Sequence, residues 1–238
     1  MSEKADINEI QKAENESAFF SAKNLEKKWN SVSINFSLTL QNGSMTAILG
    51  PSGSGKSTIL RIISGLEKSD SKAASILLDG KEVAHLPPAK RQIGMMSQSP
   101  ALFQHMNVSQ NIAYGLKCRH LAKKEIDAKV AEYLELVNLS GFEKRSVQTL
   151  SGGEAQRVAL ARTMIVMPRL ILFDEPFSAL DKALRKKLAH DIREIQKKTH
   201  FTGIIVTHDE EEAKSISDRI IRIEKGKLIY DSSSTISS

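Results

Sequence analysis

The chain has 238 residues, 40% hydrophobic and 26% charged, with 34 Lys and Arg against 28 Asp and Glu for a net charge of +6. This is the composition of a soluble globular protein with room for one large α/β domain or two small ones. No run approaches the roughly 18 apolar residues that cross a bilayer, and MSEKADINEI lacks the order of a secretion signal, so a cytosolic location is expected. The single cysteine, Cys118, excludes an internal disulfide or a cysteine metal cage and reads as a packing residue. Aromatics at 5% and scattered basic residues give no stacking platform, so no nucleic-acid partner is expected.

Residues 1–17 are polar and lack apolar periodicity, which predicts a flexible extension. Val32, Ile34, Phe36, Leu38 and Leu40 alternate with polar residues as a strand does, and Gln41-Asn42-Gly43 supplies a turn before Met45–Leu49. An antiparallel sheet is expected there. After the loop Gly50–Thr58, the spacing of Ile59, Leu60, Ile62 and Ile63 predicts a helix. Ile76–Leu78 followed by Asp79-Gly80 reads as strand and turn, and Pro87-Pro88 breaks the chain before Gln92–Met96.

From Gln98 to Leu150 the pattern is helical, with Ile126, Val130, Tyr133, Leu134 and Val137 on one face, so an inserted helical subdomain is expected over about 99–156. Leu170–Phe173 and Ile204–Val206 are continuous apolar runs suited to buried parallel strands. The helical spacing of Leu184, Leu188, Ile192 and Ile195 between them completes a β-α-β alternation. Arg219 to Tyr230, with Glu224-Lys225-Gly226-Lys227 between apolar runs, reads as a hairpin, and 233–238 as a flexible tail. The expected fold class is α/β: a P-loop core with a mainly parallel sheet, an antiparallel β subdomain and an inserted helical subdomain.

Gly50-Pro51-Ser52-Gly53-Ser54-Gly55-Lys56-Ser57-Thr58 fits the G-x-x-x-x-G-K-[ST] phosphate loop, placed between a strand and a helix. Backbone N–H groups must approach phosphate oxygens closely, which a side chain at Gly53 or Gly55 would prevent. Lys56 is placed to neutralise the β- and γ-phosphates and Ser57 to ligate Mg²⁺, and the helix N-terminus attracts anions. Asp174 and Glu175 stand just beyond the apolar strand, where ligands bind in open α/β sheets. Asp174 would support Mg²⁺, and Glu175 would polarise the water attacking the γ-phosphate of a nucleoside triphosphate. His208, after the second apolar strand, is a candidate contact to that phosphate.

Leu150-Ser151-Gly152-Gly153-Glu154-Ala155-Gln156-Arg157 resembles the LSGGQ signature of ATP-binding cassette (ABC) proteins. The order of motifs is similar too: a glutamine loop at Gln98, the acidic strand end, a D-loop at Ser178-Ala179-Leu180-Asp181 and a switch histidine at His208. The resemblance runs from about Phe19 to Tyr230, and the ABC ATPase domain is bounded at 18–232. It implies that two cassettes meet head to tail, with Ser151 and the N–H groups of Gly152 and Gly153 capping the γ-phosphate held by the other subunit. A homodimer, or a pair with a second cassette, is therefore expected with two ATP molecules between. Gln98 would assist catalysis and the metal, Asp181 would reach the nucleotide site, and Trp29 would stack on adenine, the alternative being a core or sheet-edge aromatic.

The segments Pro87 to Met96, Ala101 to Val108 and Asn111 to Leu116 resemble importer cassettes for iron(III), polyamines, thiamine, sulfate, molybdate and sugars. That implies an ATPase docked at the cytoplasmic face of the membrane on transmembrane permease subunits, with a solute-binding protein upstream. Gln104, Glu154-Ala155 and Ser44 depart from the common importer pattern, and none of these positions contacts phosphate in the family. The chain stops soon after the hairpin, which reads either as a small cassette without a C-terminal regulatory domain or as a truncated sequence. The alternatives are a soluble cassette acting on ribosomes or DNA, and an exporter cassette.

Overall fold

The computed structural model describes residues 18–29 and 32–232; the extension expected over 1–17 and the tail expected over 233–238 lie outside the described residues. In chain order the strands are β1 (Phe20–Trp29), β2 (Val32–Leu40), β3 (Met45–Leu49), β4 (Ser75–Leu78), β5 (Lys81–Glu82), β6 (Ile93–Met96), β7 (Leu170–Asp174), β8 (Thr202–Thr207), β9 (Arg219–Glu224) and β10 (Lys227–Asp231). The helices are α1 (Lys56–Ser64), α2 (Val108–Cys118), α3 (Lys123–Leu136), α4 (Gly152–Met164), α5 (Lys182–Thr199) and α6 (Glu210–Ile216).

Two sheets form. One is antiparallel in the order β2-β1-β4-β5, and the other has six strands in the order β10-β9-β3-β8-β7-β6. In the second sheet β6, β7, β8, β3 and β9 are parallel, and β10 closes the edge as the antiparallel half of the expected hairpin. The turn Gln41-Asn42-Gly43 does not make a hairpin: β2 pairs back onto β1, and β3 enters the other sheet. All five β3 residues are buried, so it needs neighbours on both faces, which a two-stranded ribbon does not supply.

The pleat divides the core. Met45, Ala47, Leu49, Ile171, Phe173 and Ile205 face one apolar cluster, shared with α2 through α6. Ile48, Leu170, Leu172, Ile204 and Val206 face the other, where α1 is held between the two sheets. Strand alternation thus gives three layers, with the phosphate-loop helix in the interior. Residue 156 lies inside α4, which continues to Met164. Cys118 is exposed, correcting its reading as a packing residue. It ends α2, whose buried stripe is Val108, Ile112 and Leu116 at i, i+4 and i+8, and position 118 is turned off that stripe.

Arg91 secures the far end of α1. Its guanidinium donates to the Ile62 and Ile63 carbonyls at 2.9 Å, to Leu86 at 2.9 Å and to Ala84 at 2.6 Å. The cation therefore satisfies the last carbonyls of α1 and sits at the negative end of its dipole. Burial pulls the pKa of Arg91 below its ordinary value, with Glu82 opposing. Arg91→Met strips the guanidinium from these carbonyls and leaves only Ile62 with a donor, the Gly65 N–H, at an expected cost of about 1 to 3 kcal/mol for each acceptor left unpaired. The melting temperature should fall by roughly 10 °C, read by calorimetry; an unchanged value would remove Arg91 from this role.

Candidate active site

Parallel pairing places Leu49 of β3 opposite Thr207 of β8, and Asp174 of β7 opposite Val206. The loops after β3, β7 and β8 therefore leave the sheet at one edge. They carry Gly50–Thr58, Glu175 and His208 respectively.

The phosphate loop has the conformation its glycines permit. Gly53 has φ 78° and Gly55 φ 98°, the left-handed region that favours glycine, and Gly55 is the residue before the first turn of α1. A Cβ on Gly55 would also lie 2.5 Å from Ile34 Cδ1. At Gly50 the constraint is space: a Cβ would lie 2.4 Å from the Ile223 carbonyl oxygen and 2.8 Å from Ser54 Oγ. Lys56 is buried, and its ammonium donates to the carbonyls of Gly50 at 2.9 Å and Pro51 at 3.0 Å. Ser57 donates its hydroxyl to Asp174 Oδ1 at 2.7 Å.

Glu175 lies between Lys56 and His208. Its carboxylate is 3.7 Å from Lys56 Nζ and 3.4 Å from His208 Nδ1. Its backbone has φ 46°, an uncommon conformation for a residue with a side chain. The turn is pinned by the Glu175 N–H donating to Val206 and by Ser178 donating to the Glu175 carbonyl through both N–H and hydroxyl.

A cleft of about 750 Å³ brings together Trp29, Ser52, Gly53, Gly55, Lys56, Ser57, Thr58, Gln98, Asp174 and Glu175. Trp29 is 43% exposed at the end of β1, so it is not a core aromatic. Gly50, Pro51 and His208 border a neighbouring cavity of about 320 Å³, and His208 reaches the cleft through Glu175. Ser54 is turned inward with its hydroxyl buried and unpartnered.

Ser151, Gly152, Gly153 and Asp181 do not line the cleft. Ser151 caps α4: its hydroxyl accepts from the Glu154 N–H, and its own N–H donates to the Glu154 carboxylate. That N–H, with Arg145 adding, holds the Glu154 carboxyl below its usual range. Asp181 caps α5 by accepting from Leu184 N–H at 3.0 Å. The two caps adjoin, since a Cβ on Gly152 would lie 3.0 Å from Leu180 and one on Gly153 2.9 Å from Leu184.

Sequence reasoning missed Arg61, Ser97 and Ser99, which also line the cleft. Arg61 is one and a half turns beyond Lys56 on the only helix that opens from the loop, and that spacing could have found it. The two serines flank Gln98 and carry no signal of their own.

The family model described as ABC transporter matches residues 34–178. The chain is 47% identical over 194 residues to the spermidine/putrescine import ATP-binding protein PotA of Clostridioides difficile (strain 630), covering 82% of this chain and 55% of that protein. It is 45% identical over 213 residues to the Fe(3+) ions import ATP-binding protein FbpC of Escherichia coli (strain K12), covering 89% and 61%. To the sulfate/thiosulfate import ATP-binding protein CysA of Thermosynechococcus vestitus it is 49% identical over 191 residues, covering 80% and 56%. The chain thus spans little more than half the length of these relatives. A family match that runs from β2 to the loop before α5, across most of the residues that build the cleft, makes the chain a member of the ABC transporter family.

Proposed function

We propose that the chain binds and hydrolyses ATP as the energy-supplying subunit of a membrane importer. The observation that carries this reading is the contact chain at one sheet edge, in which Ser57 bonds Asp174 while Glu175 stands between Lys56 and His208. The import proteins it resembles carry iron(III), polyamine and sulfate names, which favours an importer over an exporter or a soluble cassette.

Each residue has a task set by its chemistry. Loop N–H groups and the α1 N-terminus receive the phosphates, and Lys56 neutralises the β- and γ-phosphates. Trp29, at the mouth of the same cleft, stacks on adenine. Glu175 orients and polarises the attacking water for in-line displacement. Its carboxylate is well placed for this: neither 3.7 Å nor 3.4 Å is a tight hydrogen bond, so lone pairs remain to accept from water. His208 contacts the γ-phosphate and responds to its loss.

The donor set suits Mg²⁺. A hydroxyl and a carboxylate oxygen meet at Ser57 and Asp174, and the Gln98 amide lines the same cleft, all hard oxygen donors. When bound there, the metal would offset negative charge on the phosphates.

Ser151 and the N–H groups of Gly152 and Gly153 serve the site of a second cassette, as does Asp181, so the active form is a dimer, most simply a homodimer. Among the described residues no helix is long and apolar enough to cross a membrane. Attachment is therefore assigned to transmembrane permease subunits at the cytoplasmic face. A solute-binding protein acts on those subunits and touches this chain only indirectly. Dimer closure on ATP and reopening after hydrolysis would drive the permease.

Glu175→Gln keeps shape and removes the carboxylate charge, so ATP turnover should fall by about 100-fold or more. The variant should form an ATP-bound dimer in Mg²⁺ by light scattering; a persistent monomer would count against the shared site. Trp29→Ala should raise the ATP Kd by about 5- to 150-fold, the equivalent of about 1 to 3 kcal/mol of stacking. Trp29 is the single tryptophan, so wild-type fluorescence should change on ATP addition, and a silent signal would reject the adenine contact.

A further inference from the structure

Two side-chain atoms behind the catalytic edge are buried and have no hydrogen-bond partner: Arg185 Nε and Glu212 Oε1. They belong to α5 and α6, which pack against each other. Arg185 donates to the Leu180 carbonyl at 3.2 Å and to Asp209 Oδ2 at 3.4 Å. Leu180 belongs to the loop that leaves Glu175, and Asp209 directly follows His208. One guanidinium therefore ties the segment beyond Glu175 to the segment beyond His208.

Glu212 approaches the same segment from the core side. It is 7% exposed, and its N–H donates to Asp209 Oδ1 at 3.0 Å. The Thr207 hydroxyl accepts from Asp209 N–H at 3.0 Å and also acts on the Glu212 carboxyl, so the residues on both sides of His208 are held from Glu212. Burial pushes the Glu212 carboxyl up to about 7, and the charges of Asp209 and Glu175 push the same way. The Thr207 hydroxyl and Arg185 oppose them. Asp209 is held below the usual carboxylate range chiefly by the Glu212 N–H, with Arg185 adding. The remaining packed strand, β3, offers no charged side chain.

We infer that Glu212 is a positioning residue for His208, gripping the Thr207–Asp209 segment from the core, and that Arg185 joins this grip to the loop leaving Glu175. This rests on the roles proposed above for Glu175 and His208. Ionised Glu212 accepts from the Thr207 hydroxyl, a contact that favours the carboxylate over the protonated acid. Ionised Glu212 is drawn toward Arg185, whose Nε lacks a partner, and repelled by Glu175, so the position of His208 follows the proton on a group that never meets nucleotide.

The test is the ATPase rate and the KM for ATP between about pH 5.5 and 8.5, for the wild type, Glu212→Gln and Arg185→Gln, with melting temperatures alongside. Wild-type kcat should show an inflection near pH 7 that Glu212→Gln abolishes. The same variant should lower kcat by about 10- to 100-fold with KM held within about twofold, as misplacement of a catalytic group does. Arg185→Gln removes a cation that favours ionised Glu212, so it should move the inflection to higher pH, and this arm stands if Glu212→Gln does not fold. An inflection that stays in place in the folded variants overturns the inference while leaving the ATPase reading intact. A wild type that does not hydrolyse ATP overturns both.

Discussion

The register of β3, β7 and β8 is the constraint on which the rest of the molecule depends. Each of these strands is buried at every position, with alternate side chains committed to different apolar clusters. A one-residue slip of β7 would exchange the faces of Leu172 and Phe173 and displace Asp174 by about 3.3 Å along the strand. The 2.7 Å bond from Ser57 to Asp174 does not survive such a shift. The geometry of the candidate site is thus enforced by hydrophobic burial, and the polar contacts at the edge report that register without creating it.

Beyond the last paired residues the chain has to be held by other means. Glu175 has a left-handed backbone, a conformation that costs about 1 to 3 kcal/mol at a residue with a side chain. The β8 carbonyl of Val206 and the Ser178 N–H and hydroxyl supply the opposing hydrogen bonds. The conformation turns the carboxylate back toward Lys56 and His208. Lys56 poses the matching problem of a buried cation, met by two loop carbonyls at 2.9 and 3.0 Å with Glu175 further off. Phosphate oxygens would offer the same ammonium stronger, charged acceptors, so the proposed binding would exchange neutral partners for charged ones.

Legibility from sequence follows the range of the interaction. A phosphate loop must be contiguous because consecutive N–H groups surround one ligand, and a buried parallel strand must be an unbroken apolar run, so both could be read directly. Strand partners are a long-range property, and the turn at Gln41–Gly43 is equally consistent with a hairpin until β3 is known to need neighbours on both faces. Cys118 was misread because residue type was weighed above its place on the helix. Arg91 and Glu212 act through backbone or through a neighbour on another element, and even the Pro87 to Met96 resemblance that contains Arg91 does not reveal its task. For Glu212 one trace exists: it lies four residues before buried Ile216, on the inner side of α6 and within a run of three glutamates that otherwise suggests solvent.

The capping residues hold the fold of one short motif and still leave donors unspent. Ser151 spends an acceptor lone pair on the Glu154 N–H, and its N–H is taken by the Glu154 carboxylate. A serine hydroxyl used as an acceptor keeps its proton, and the N–H groups of Gly152 and Gly153 belong to the first turn of a helix, where no intrahelical acceptor exists. What α4 presents at that end is therefore a set of donors on a positive dipole end, suited to an anion. The glycines are small for a reason within the chain, because Leu180 and Leu184 press against them, and that packing aligns the donors with the loop carrying Asp181. This donor set and the phosphate loop open on separate parts of one chain, so in the proposed dimer a γ-phosphate held by Lys56 would be completed by the equivalent donors of a second cassette.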